Sequence, residues 1–315
     1  SGIHVRPTPD SSIATLSGAE FTFDDSVPVV FTTRVTMSNA KLNIDPGTVL
    51  KFMSGSGLDV YGGALNIGDR RTLDGFTDTM EHVRARGGDS QVIFTSFSDD
   101  QATTGTDLDD DGIFDVIFTP ALDSNNDGSA TQPTAGSQAS RGIWGGINVA
   151  PYTDLVIDEA TFRYGGGNIM YADGTGRHDV LEFFPSQSPF FVSITDSNFH
   201  DNQGAAISAT PDFLRAGDPT NPLLSGNPFF RGNVLTDNDL NGLELRTDVF
   251  WGGLPSESSR TNLHTDGLWD DTDLPHIVRG PIIARGASGY RTIVDPETVG
   301  FGLPEFPETN YFFAG

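Results

Sequence analysis

Residues 106–115 read TDLDDDGIFD, and DSNNDG follows at 123–128. Carboxylates this dense either collect a hard cation or stay in water, and their spacing decides between the two. Asp107, Asp109, Asp111 and Asp115 stand in the order D-x-D-x-D-G-x-x-D. Gly112 permits a sharp turn and Ile113 would offer its backbone carbonyl, as a calcium loop requires at those offsets. Phe118 stands where an EF-hand carries its bidentate glutamate, and no helical pattern flanks the loop. Asp123, Asn125 and Asp127 of the second half-motif are the nearest source of the missing ligands. The expected cofactor is therefore calcium, on Asp107, Asp109, Asp111, Ile113, Asp115, Asp123, Asn125 and Asp127. Magnesium fits poorly, because the ligands are too many and too flexible.

Other constellations carry less chemistry. Asp270, Asp271 and Asp273 in LWDDTDLPH could hold a second ion, although Trp269 and His276 beside them suggest a buried polar turn. TDNDLNG (236–242) reads as a turn ladder. His4, His82, His178, His200, His264 and His276 never fall at metal-ligand spacing, and His200 is expected to be structural. Trp144 and Trp251 each precede Gly-Gly, which favours packing over sugar stacking. For catalysis, Arg279 in VRGPIIAR is the best base, with Arg285 nearby, and Asp270, Asp271 and Asp273 could serve a hydrolase. A uronate groove should be basic, yet 18 Lys and Arg face 43 Asp and Glu. There is also no G-x-S-x-G, no cysteine and no phosphate-cradling glycine loop. Enzymatic activity is not the expectation.

The formal charge of −25 excludes a nucleic-acid binder, whose surface must be basic. It also disfavours anionic membranes, and no apolar run is long enough to span one. Absence of cysteine removes disulfides, thiolate metal sites and cysteine catalysis. The chain opens SGIHV, without a start methionine, as a mature product or an excised segment would.

The elements that must position these residues are short strands. KLNIDPGTVLKFMSGSGLDVYGGALNI (41–67) alternates at period two, giving the inward pairs Leu42/Ile44, Leu50/Phe52, Leu58/Val60 and Leu65/Ile67. Asp-Pro-Gly, Gly-Ser-Gly and Gly-Gly turn the chain between them. Leu42 and Leu65 lie 23 positions apart, and QVIFTS (91–96) follows after a similar interval. Further on, LVIDEATFRYGGGNIMYA, VSITDSNFHDNQGAAISA and PFFRGNVLTDNDLNGLELRT superpose. They align Ile157 with Ile194 and Phe230, Phe162 with Phe199 and Leu235, and Ile169 with Ile207 and Leu243. Loops 177–189 and 212–228 are expected to project from these units. Only 77–88 and 210–217 look briefly helical. A repeat in the low twenties with strands of three to five residues predicts an all-β chain, a parallel β-helix solenoid with long loop excursions. A β-sandwich is the competing fold. Asparagine and glycine are expected at the corners of the solenoid, where left-handed backbone or an amide ladder is needed.

In that order, LNIDPGTVLKF, LDVYGGALNI, VIFTS, the acidic insert, GIWGGINV, ATFRYGGGNI, DNQGAAI, NDLNGLEL and LWDDTDLPHIVRGPI resemble the right-handed β-helix segments of very large bacterial secreted or cell-surface proteins, those of planctomycetes among them. The acidic loop resembles the calcium repeats of thrombospondin type 3. The resemblance covers roughly 28–285 and implies an extracellular structural or adhesive module, with a calcium-binding insert at 97–141. Residues 1–27 would form an N-terminal cap, and 286–315 a C-terminal cap or linker. SSIATLSGAEFTF (11–23) contains a strand that could cap its own stack or complete a neighbour's sheet. The expected partners are therefore further copies joined head to tail, into a filament or surface layer, or the neighbouring domains of a larger surface protein, with a polysaccharide as a further candidate. The runner-up is a calcium-dependent polysaccharide lyase or glycoside hydrolase.

Overall fold

A computed structural model describes residues 3–5, 14–25, 28–68, 91–99, 139–150, 153–171, 174–183, 191–214, 228–246, 262–263, 274–280 and 282–284. They form two large parallel sheets, and no α-helix occurs among the described residues. The first sheet has seven strands. Their order is β1 (Ile3–Val5), β4 (Val29–Phe31), β6 (Val49–Phe52), β8 (Val92–Ser96), β11 (Ala160–Arg163), β16 (Asn198–His200) and β19 (Val234–Thr236).

The second sheet is organised by two eleven-residue strands, β5 (Arg34–Ile44) and β7 (Gly57–Ile67). Each bends midway through left-handed backbone, at Asn39 in β5 (φ 47°) and at Gly62 and Gly63 in β7 (φ 71° and 84°). The approach at Gly63 is close, since a Cβ there would lie 2.0 Å from the Ala40 carbonyl oxygen. The bend divides the sheet into two limbs. One carries β2 (Ala14–Ser17), β9 (Ile147–Val149), β14 (Leu181–Phe183), β17 (Ala205–Ala209), β20 (Leu240–Leu245) and β22 (His276–Val278). The other carries β3 (Glu20–Phe23), β10 (Thr153–Asp158), β15 (Val192–Thr195) and β18 (Phe229–Arg231). The strand expected within 11–23 is thus β2 and β3, both paired in parallel with β5 of the same chain.

Parallel register keeps like residues above one another, so the core is a set of columns. Phe23, Ile44, Ile67, Ile157, Ile194 and Phe230 form one of them. Phe162, Phe199 and Leu235 form another, as the aligned repeats predict, and Phe94 extends it. The rings of Phe94 and Phe162 stack at 4.5 Å, and those of Phe162 and Phe199 at 4.8 Å. Trp144 is fully buried against Phe52 at 4.4 Å and donates its indole N–H to the Arg163 carbonyl, so it packs, as expected.

The third predicted column is wrong at one place. Ile207 does pair with Leu243, but its other neighbour is Leu181, not Ile169. Ile169 belongs to an antiparallel hairpin of β12 (Asn168–Tyr171) and β13 (Gly174–Arg177). It is buried by lying over Gly57 and Gly145, where only glycine leaves room for it. Leu181–Phe183, expected to lie in a projecting loop, is a fully buried strand between β9 and β17. Of the briefly helical 210–217, residues 210–214 hold a 3-10 turn over Pro211–Phe213, while 215–217, like 77–88, lie outside the described residues. The other short pair is β21 (Asn262–Leu263) with β23 (Ile283–Ala284).

The corners repeat as closely as the strands. Tyr164, Asp201 and Asp237 each take left-handed backbone, at φ 62°, 55° and 52°. After the latter two come buried asparagines that stack. Asn202 donates its side-chain N–H to the Phe162 carbonyl at 2.9 Å and to Asn238 Oδ1 at 2.8 Å, and it accepts from Gly165 N at 2.7 Å. Asn238 donates in turn to the Phe199 carbonyl at 2.7 Å. This is the amide ladder expected of TDNDLNG and DNQG. Replacing Asn202 by alanine strands a buried N–H and a buried C=O, costing about 1–3 kcal/mol for each. The lowered midpoint of a denaturant titration measures it, and an unchanged midpoint would refute the ladder's role.

Candidate functional site

Strand alternation sends every second side chain outward, and in a parallel stack these form rows too. The limb that includes β9 presents Asp59, Asn148, Glu182, Ser208 and Glu244 on neighbouring strands. Each is buried, although each lies on the face opposite the core. Sequence reasoning passed over this row. Its signal is one polar residue between two apolar ones, in LDV (58–60), INV (147–149), LEF (181–183), ISA (207–209) and LEL (243–245).

The row is charged, and its charges are met in place. Arg34 pairs with Asp59, whose other oxygen accepts from Asn148 Nδ2 at 2.6 Å. Arg246 reaches Glu182 Oε1 at 2.7 Å and Asp179 Oδ2 at 3.2 Å. His178 Nδ1 lies 2.7 Å from Glu182 Oε2. Arg279, more than half exposed, lies 3.3 Å from Glu244. Burial pushes the Glu182 carboxyl up, but the hydrogen bond from His178 and the positive charges of Arg246 and His178 outweigh it. The carboxyl therefore sits below its ordinary value. Burial, then the Asp59 charge, raises the Tyr61 phenol beside Arg34.

A second buried polar group lies on the outer face of the seven-stranded sheet. Lys51, Thr95 and Arg163 project there from β6, β8 and β11, and Asp99 follows β8. Arg163 binds Asp99 at 2.7 Å, and Thr95 also hydrogen-bonds Asp99. Asp99 and Arg141 flank the segment that contains the acidic stretch. Arg141 lies 3.7 Å from Asp201 and 3.5 Å from Asp239, so both flanks are tied to the sheets by ion pairs.

The predicted calcium ligands, Asp107, Asp109, Asp111, Ile113, Asp115, Asp123, Asn125 and Asp127, lie outside the described residues. So do Trp251, Trp269, Asp270, Asp271, Asp273 and Arg285. Among the described residues no three His, Cys, Asp or Glu side chains form a group that could hold a metal. His276 pairs with Leu243 at the end of a core column, and burial lowers its pKa. His200, expected to be structural, sits on β16 with Nδ1 3.0 Å from Asp201. No described helix is long and apolar enough to cross a membrane.

Chemically, the outer row is a set of carboxylates matched to guanidinium and imidazole groups, arranged to hold strands in register. No family model, no curated protein and no solved structure matches the chain.

Proposed function

We propose that this chain is an extracellular structural or adhesive module, wound as a right-handed parallel β-helix and rigidified by calcium on its acidic excursion. The observation that carries the reading is register. The chain passes from the seven-stranded sheet to one limb of the second sheet, then to the other limb and back, and core columns, corner asparagines and outer polar row all stay aligned as it does so. Parallel connections of this kind wind right-handed almost without exception. A unit that contacts mainly its neighbours along a line suits a rod or spacer. The high acidity keeps such a rod soluble and draws cations to it.

A polysaccharide-cleaving reading has one observation in its favour. Asp59 and Glu182 project from strands two apart in one sheet, roughly 9.6 Å by inter-strand spacing. That is close to the carboxylate separation of an inverting hydrolase. Both carboxylates are buried and held by arginine, however, so neither is offered to a substrate.

Negative-stain microscopy with and without calcium tests the proposal, alongside an assay for unsaturated uronate and reducing-end products. Narrow rods and no product are expected. Chelation is expected to raise hydrogen exchange and protease cleavage within 100–135 while leaving the sheets protected. Product release, or equal protection of 100–135 with and without chelator, would overturn the corresponding part of the reading.

A further inference from the structure

The core columns do not close on themselves. The column that begins at Leu16 and runs through Met37 and Val60 ends, beyond Leu245, on Val278. Met37, Val60 and Leu245 are fully buried, whereas Val278 is 46% exposed although it faces the same way. At the other end Val5, Leu16, Phe21 and Phe23 pack on the core yet remain only partly buried. The large exposed apolar side chains among the described residues are Phe229, Val234 and Val278. They lie on β18, β19 and β22, each the last described strand of its sheet or limb in the direction away from β1–β3. Phe229 and Val234 point to the outer face of their strands, so Val278 is the exposed residue that ends a core column.

We infer that these ends are docking surfaces for further copies of this chain, with the β1–β3 end of one copy seated on the β22 end of the next. This rests on the rod reading above. Three features select another copy as the occupant. All strands in the two sheets run parallel, so the two ends are not equivalent, and simple translation along the stack presents each with the edge its own register would continue. The exposed residue that ends its column matches the one that begins it, as Val278 does the partly buried Leu16. A net charge of −25 opposes contact along the sides, leaving the apolar ends as the favourable approach. A head-to-tail contact of this kind does not close and gives linear oligomers.

Sedimentation velocity on the full chain, over a concentration series at low and high salt, tests this. Association is expected to strengthen as salt screens repulsion between copies, the opposite of a contact held by ion pairs. Val278→Lys, at a site already half in solvent, is expected to weaken association by about tenfold or more without altering thermal unfolding. Leu16→Lys is expected to do the same from the opposite end. Mixing the two variants leaves one intact junction, so dimers should return and longer species should not. Monomers at every concentration and salt, or Val278→Lys assembling like the parent chain, would overturn the inference. Microscopy showing isolated rods would then leave the rod reading standing. Should Leu16→Lys fail to fold, Val278→Lys and the salt series decide alone.

Discussion

Replacing Phe162 by alanine is expected to destabilise the protein by about 3–5 kcal/mol, the range for removing a fully buried aromatic ring. Phe162 is completely buried, with Phe94 at 4.5 Å on one side and Phe199 at 4.8 Å on the other. Removing it opens a gap between the rings carried by β8 and β16, whose backbones cannot approach because β11 stays hydrogen-bonded between them at about 4.8 Å per step. The cavity term is therefore fully expressed. Phe23 supplies the control. It sits at the end of its column, is partly exposed and meets Phe31 only edge-on at 6.3 Å. Its alanine variant should lose clearly less. On the proposed rod reading the difference has a second consequence, because each unit of a linear stack is stabilised by its neighbours. A gap at Phe162 weakens coupling between the two halves, so denaturant unfolding should broaden as well as shift. A gap at Phe23 only frays one end. Equal losses at both positions would mean that the columns are not the source of stability.

Those columns were legible in the sequence because parallel register translates directly into repeats. Ile157, Ile194 and Phe230 fall 37 and 36 residues apart, and they do lie on one line. The corner asparagines were legible for a related reason, since left-handed backbone and a side-chain amide narrow the choice of residue. Ile169 shows where the method fails. The even spacing of the repeats placed Ile169 beside Ile207 and left Leu181 in an expected loop. Spacing cannot reveal that a hairpin has been inserted before a strand. The alternation Leu181-Glu182-Phe183 could have revealed it, because two inward apolar residues around an outward polar one mark a strand in this chain. The outer polar row escaped notice on the same account. A single acidic residue in a strand reads as solvated, and only pairing across strands shows that Asp59, Asn148 and Glu182 are neighbours. Their arginine partners come from still other parts of the chain, Arg34 at the start of β5 and Arg246 just past β20.

The second large effect concerns that row. Arg246→Met leaves the Glu182 carboxylate buried with His178 as its remaining side-chain partner and removes the cation from Asp179. Breaking a buried pair from one side costs about 3–5 kcal/mol, because the surviving charge keeps its desolvation penalty. Adding Glu182→Leu removes that charge and restores an apolar fit, so the double variant should recover most of the loss. The coupling between the two sites should reach about 1–3 kcal/mol. Acid titration gives an independent reading. Glu182 is held below its ordinary value in the folded state. It therefore adds stability that is fully present above the unfolded-state pKa and disappears as pH falls through the lower folded value. Without Arg246, burial pushes the carboxyl upward with less to oppose it, so acid unfolding should begin at a higher pH than in the parent chain. With Glu182→Leu added, this contribution to the acid transition should vanish. Identical acid midpoints in the parent and Arg246→Met would show that the pair is held for geometry alone, with no energetic coupling across the strands it joins.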